Sequence, residues 1–308
     1  MIGLLLLAGA AVLLVGGAEL FVENAAAAAQ RLGVTVLAVG ILLAGAEPEE
    51  LLTAVLAAAQ HRPGLAAGDA IGANVTMLTA CLGLAALVRP LQLGRRVRQY
   101  AILAAVAGAF ALLTLLDGHV GRVEGGVLVL AYVVLVGLVW WREREPPKLG
   151  ELAELDDDAE HGERSATVGL LLSLVGVAGM LVGGDLAVNG AVRVVESFGS
   201  TDSAVGLTVL ALATTAELFA LVFAAVRHDV PEIAVAGVVG SAAYNATATL
   251  GAAALVRPLS VDGVAVPAAV AAALPIVILL LAPRGRLGRP AAALLVAGYV
   301  AYVVVVLR

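Results

Sequence analysis

The sequence predicts an all-α polytopic membrane protein of about ten transmembrane helices, arranged as two inverted five-helix repeats. Three observations carry that expectation. The 308-residue chain is 61% hydrophobic and only 14% charged, with a mean hydropathy of +1.03, far to the apolar side of soluble domains. Its apolar residues fall into runs near the ~20 residues needed to cross a bilayer as a helix. Finally, the second part of the chain rewrites the first.

The ten runs centre near 3–28, 33–59, 66–88, 99–116, 123–141, 167–192, 203–226, 232–256, 264–282 and 290–307. The opening MIGLLLLAGAAVLLVGGAELF lacks a basic leader and continues without a polar break, so it reads as the first span and not as a cleaved signal. The second run is interrupted by GAEPEEL at 45–51, which places Glu47, Glu49 and Glu50 around Pro48. The third carries Asp69, Asn74, Thr76 and Thr79; the fourth and fifth are plain. A polar stretch at 142–165, rich in acids, separates the fifth from the sixth and reads as a solvated linker. The seventh contains Thr214, Thr215 and Glu217, the eighth Ser241 and Asn245, and the last two are again apolar.

Connecting loops give the orientation. One side receives Arg31, Arg89, Arg95, Arg96, Arg98, Arg142, Arg144, Lys148, Arg164, Arg227, Arg284, Arg286 and Arg289; the other receives only Arg62, Arg122, Arg193, Arg257 and Arg308. Since basic loops stay cytoplasmic, both termini are expected outside and the 142–165 linker in the cytoplasm. The net charge of −6 comes with acids gathered in that linker, and no basic face for nucleic acid exists. The lone Cys81 excludes an internal disulfide and any multi-thiolate metal centre.

The repeat is read directly. LGLAALVRPL at 82–91 returns as LGAAALVRPL at 250–259, and LLVGG at 13–17, AVG at 38–40 and DAIGAN at 69–74 find MLVGG at 180–184, AVG at 204–206 and GVVGSA at 237–242 in the same order. The copies are therefore 1–141 and 166–308 with five spans each. An odd number makes the second copy enter from the opposite face, which is a transporter signature. Arg89 and its counterpart Arg257 indeed fall on opposite sides.

Carboxylates at the bilayer centre are costly and face a cavity, a partner or an ion. Setting Glu50 against Glu217 puts Glu47 opposite Thr214, each pair three residues apart on one helix face. A second register stays open: Glu49 also stands 168 residues before Glu217, the offset of the LVRPL segments. Gly45 and Pro48 favour a break in the second span that frees backbone carbonyls. Carboxylates from both copies with hydroxyls and carbonyls make an all-oxygen site suited to a hard cation such as Ca²⁺. Ser241 and Asn245 lie one turn apart and add to it; at the same offset the first copy has Ala73 and Met77, so it has lost oxygens there.

This arrangement resembles the cation/calcium exchanger superfamily, whose two inverted repeats each carry a G-T-S-x-P-E-L-like stretch followed by a G-S-N-like one. Here these are GAEPEEL at 45–51 with GAN at 72–74, and ATTAEL at 213–218 with GSAAYN at 240–245. The resemblance implies Ca²⁺ antiport driven by Na⁺ or H⁺ through alternating access, with paired glutamates on Ca²⁺ and flanking hydroxyls and amides on the coupling ion. By position, Glu50 and Glu217 match the glutamates, Glu47 and Thr214 the hydroxyl positions, Ala73 and Ser241 the serines, and Met77 and Asn245 the distal amide or acid positions. Glu49, Thr215, Asp69 and Asn74 complete the candidate set. Neither stretch is intact: lost neutral oxygens weaken Na⁺ sites, while a surplus carboxylate offers a proton acceptor. An Na⁺/H⁺ antiporter on the same carboxylates is the alternative. An intramembrane hydrolase is disfavoured, because His61, His119, His161 and His228 all lie in loops or at span ends. No resident cofactor is expected; the partners are inorganic cations and lipid.

Overall fold

The computed structural model describes residues 2–31, 47–143, 166–227 and 231–308. The 144–165 part of the linker and the stretch that leads into GAEPEEL lie outside them. The described chain is almost wholly helical. The first copy contributes α1 (Ile2–Arg31), α2 (Pro48–Ala59), α3 (Pro63–Thr76), a π-helical turn at Met77–Cys81, α4 (Leu82–Val88), β1 (Leu91–Gln92), α5 (Arg95–Leu115), β2 (His119–Val120) and α6 (Arg122–Glu143). The second contributes α7 (Ala166–Phe198), α8 (Asp202–Val205), a π-helical turn at Gly206–Leu210, α9 (Ala211–Thr214), α10 (Ala216–Arg227), α11 (Pro231–Tyr244), a third π-helical turn at Asn245–Thr249, α12 (Leu250–Val256), β3 (Leu259–Ser260), α13 (Ala265–Leu281), β4 (Arg286–Leu287) and α14 (Arg289–Val306).

Among the described residues, six unbroken helical spans are long and apolar enough to cross a bilayer, and α8 to α10 form a seventh with a 43° bend between Thr214 and Ala216. α13 is a 17-residue apolar helix with Pro275 inside it. The protein is thus a multi-pass membrane protein, and its surface agrees. Leu5, Val12, Val106, Leu130, Leu171 and Leu280 face outward, whereas Glu47, Glu49, Glu50, Asp69, Thr214, Ser241 and Asn245 are buried. This inside-out distribution is what lipid demands, since polar groups are satisfied only in the interior.

α1 and α7 pack along their lengths. Their contact is built on small residues, and a Cβ on Gly17 would lie 2.8 Å from the Gly176 carbonyl oxygen. In a bilayer, where apolar burial gives no drive to associate, close backbone approach of this sort holds helices together.

The short strands are an addition to the all-α expectation. β1 pairs antiparallel with β4 (Leu91 opposite Leu287), and β2 with β3 (His119 opposite Ser260). Each clip joins a loop of one copy to a loop of the other and satisfies backbone groups where the helices end. His119 Nδ1 lies 3.1 Å from Ser260 Oγ across one of them.

Element bounds in the two copies keep a single spacing. Pro48–Ala59 and Ala216–Arg227, Pro63–Thr76 and Pro231–Tyr244, Met77–Cys81 and Asn245–Thr249, Leu82–Val88 and Leu250–Val256, and Leu91–Gln92 and Leu259–Ser260 are all 168 residues apart. The spacing holds through the acidic segment, so it fixes the register there. Glu49 is the counterpart of Glu217, Glu47 of Thr215, and Glu50 of Leu218. The pairing of Glu50 with Glu217 is therefore corrected. It rested on the three-residue spacing shared with Glu47 and Thr214, whereas both helices start at the residue just before the aligned glutamate, which selects the second register.

Candidate cation site

Two helix starts organise the site. α2 begins at Pro48, with Glu47 as its non-helical cap residue and Glu49 and Glu50 in its first turn. Proline is pre-set for that position, having no N–H to satisfy. α10 begins at Ala216 with Glu217 in its first turn. No Gly or Pro marks this second break. Its cause is local: Thr214 Oγ1 lies 3.2 Å from the Ala211 carbonyl, and Thr215 Oγ1 donates to the same oxygen at 2.7 Å. Hydroxyls that compete for the helix ladder bend it. At both starts carboxylates occupy the first turn, the end at which the helix dipole favours negative charge.

The acids are held by hydroxyls of the other copy. Ser241 donates to Glu47 Oε1, and Thr214 donates to Asp69 Oδ1 at 3.0 Å. The Glu47 carboxyl also meets that of Glu49. Asn245 stands beside Glu50 without closing a hydrogen bond to it, and Glu47, Asp69 and Glu217 lie within electrostatic reach of Glu50. Glu47, Glu49, Glu50, Asp69, Thr214, Thr215, Ser241 and Asn245 are all within 1% of full burial; Glu217 is half-buried. Glu47 Oε2, both Glu50 oxygens and Asp69 Oδ2 have no hydrogen-bond partner. Orphaned buried acceptors of this kind call for a counter-charge.

Not every candidate joins the acids. Asn74 Nδ2 donates 2.9 Å to the Ala242 carbonyl, its own counterpart 168 residues on, and so ties α3 to α11. Thr215 is turned to its own helix. Among the described residues, no group of three or more acidic, histidine or cysteine side chains is drawn together closely enough to hold a metal ion. Glu47 and Asp69 are instead each directed at a hydroxyl.

The site also has a wall that the spacing argument missed. Tyr244 lies near Glu47, Glu49 and Glu50 and meets Tyr132 edge to face, with ring centroids 5.1 Å apart. Tyr244 stands within GSAAYN, directly before Asn245, and was legible there. Tyr132, in an otherwise plain span, was not. Thr53, one turn beyond Glu49, is fully buried with an unpartnered hydroxyl.

Known proteins share this fold. The family model for sodium/calcium exchanger proteins matches residues 2–141 and 168–308. CaxA of Alkalimonas amylolytica, named as an antiporter, is 29% identical over 261 residues, covering 82% of this chain and 81% of its own. Two solved structures share the fold. The H⁺/Ca²⁺ exchanger CAX superposes with a TM-score of 0.76 at 15% identity, over 96% of this chain and 80% of its own. The sodium–calcium exchanger NCX_Mj does so with a TM-score of 0.65 at 23% identity, over 98% of both.

Proposed function

Because this chain belongs to the sodium/calcium exchanger family, we propose that it is a secondary active antiporter that carries Ca²⁺ against Na⁺ or H⁺. It is a membrane transporter and not an enzyme. The observation that carries this reading is the burial of Glu47, Glu49, Glu50 and Asp69 of the first copy with Ser241 and Asn245 of the second at two broken helices, Glu217 being half-buried at the start of one of them. Oxygen ligands contributed by both halves of a repeat protein are released when the halves rock, which is the physical basis of alternating access.

In this reading the copies 1–141 and 166–308 are inverted five-helix repeats joined by the cytoplasmic linker, with both termini outside. The unpartnered oxygens of Glu50, Glu47 and Asp69 turn toward an arriving dication together with Glu217. Hard, flexible oxygen coordination of this kind favours Ca²⁺ over Mg²⁺, which demands a near-rigid octahedron. The relatives' names for calcium and antiport support the cargo, and the carboxylate surplus supports a coupling ion that competes for the same oxygens.

The test is ⁴⁵Ca²⁺ uptake into proteoliposomes with Na⁺ and pH gradients varied independently. Uptake follows at least one gradient, and Glu50→Gln or Glu217→Gln abolishes it while the protein stays folded. Normal flux in both variants overturns the reading. Flux of Na⁺ and H⁺ without any ⁴⁵Ca²⁺ counterflow assigns the protein to Na⁺/H⁺ exchange instead.

A further inference from the structure

The common spacing of 168 residues lets each polar position be compared with its structural counterpart, and along one helix column the two copies differ in chemistry. On the second copy, Ser241, Asn245 and Thr249 follow at intervals of four, spanning the last turn of α11 and its π-helical turn. All three are fully buried, and Thr249 Oγ1 donates to Asn245 Oδ1 at 3.1 Å. The counterparts on α3 and its π-helical turn are Ala73, Met77 and Cys81, equally buried. The second copy thus has a column of hydroxyl, amide and hydroxyl where the first has methyl, thioether and thiol.

The chemistry of the two columns differs in kind. Na⁺ and Ca²⁺ are hard cations that take oxygen; thioether and thiol sulfur select soft metals. Cys81 Sγ is moreover directed to the Leu218 carbonyl at 3.5 Å. On the oxygen side, Ser241 gives its proton to Glu47, which leaves the lone pairs of its hydroxyl for a cation. The orphaned oxygens of Glu50 complete that side, since Asn245 adjoins Glu50.

Resting on the exchanger reading above, we propose that the cavity has one hard-cation position. It lies against Ser241, Asn245, Glu50 and Glu217; Ala73, Met77 and Cys81 offer no oxygen for a second one, and Asp69, one turn earlier, is engaged by Thr214. A monovalent cation then competes with Ca²⁺ for that single position and cannot bind as a cooperating set beside it. The site differs in this from a symmetric one, in which each copy would supply its own neutral oxygens to a separate ion.

Displacement of ⁴⁵Ca²⁺ by Na⁺ from purified protein in detergent, with direct ²²Na⁺ binding alongside, reads the number of positions. The proposal expects a shallow displacement curve with a Hill slope of about one, since the slope is bounded by the number of sites. ²²Na⁺ binding should saturate at no more than one ion per chain. The double variant Ala73→Ser with Met77→Asn restores oxygens to the bare column and should steepen the Na⁺ curve. A steep wild-type curve, or more than one ²²Na⁺ per chain, overturns the proposal. So does an unchanged curve in the double variant when size-exclusion chromatography shows it folded. If the protein binds no ⁴⁵Ca²⁺, the calcium reading falls, while the ²²Na⁺ count still decides between one position and several.

Discussion

Thr214→Val tests how the copies are joined at the site. Valine keeps the shape of threonine in a fully buried position and removes only Oγ1, which lies 3.0 Å from Asp69 Oδ1. That hydroxyl also lies 3.3 Å from the Leu210 carbonyl and 3.2 Å from that of Ala211. It has one proton, so it serves one acceptor at a time. The Ala211 carbonyl loses little, because the Thr215 amide also donates to it at 3.1 Å. Asp69 loses much more: Oδ2 has no partner already, so the variant leaves the whole buried carboxyl unsatisfied. A hydrogen bond to a charged acceptor contributes about 1.5–3 kcal/mol, and a neutral one about 1 kcal/mol. Thermal unfolding in detergent, followed by circular dichroism, should show Thr214→Val destabilised by ~1–3 kcal/mol. Removing both partners leaves nothing stranded, so Asp69→Ala combined with Thr214→Val should cost less than the two single changes added together. The expected shortfall is at least ~1 kcal/mol, above the ~0.5 kcal/mol within which independent sites add. Additivity within that limit would show that the pair is not coupled and refute the reasoning.

Three further outcomes follow from particular contacts. In Gly72→Ala the new Cβ would lie 2.5 Å from the Leu207 carbonyl oxygen and 2.7 Å from Leu207 C and Cα; backbone cannot rotate aside, so a loss of about 1–3 kcal/mol or more is expected. The control is Gly126→Ala, whose nearest neighbour would be Leu255 Cδ2 at 3.9 Å, and equal melting of the two would contradict the packing. Arg62 and Asp202 form an ion pair at 3.5 Å with side chains 38% and 24% exposed, so Arg62→Ala should change stability by less than ~1 kcal/mol in the same assay. Ca²⁺ at a hundred times its dissociation constant should stabilise the folded protein by ~2.7 kcal/mol through mass action. Glu217→Gln should lose that thermal shift, and an undiminished shift would remove Glu217 from the site.

Much of this architecture was legible in one dimension. Membrane spans declare themselves because lipid enforces long apolar runs, and all ten runs coincide with helices or, in the second, with the described part of one. Duplication was equally plain, since LVRPL and its neighbours are repeated in order. Buried carboxylates stood out for the same energetic reason: nothing except a cavity or an ion justifies Glu47, Glu49 and Glu50 in a span.

Sequence by itself therefore determined the membrane class and the buried carboxylates, through the cost of placing a group in hydrocarbon, and the two copies, through their repeated motifs. Register and partnership were decided only by the tertiary structure. The i, i+3 pairing favoured Glu50 opposite Glu217 and left Glu49 open, whereas helix starts at Pro48 and Ala216 put Glu49 there. The break at Thr215 depends on hydroxyls reaching back to Ala211, a competition invisible to a Gly or Pro count. The Ser241–Glu47 and Thr214–Asp69 bonds join residues 194 and 145 positions apart. Such distances close only when the copies pack, so no local rule could have chosen those partners.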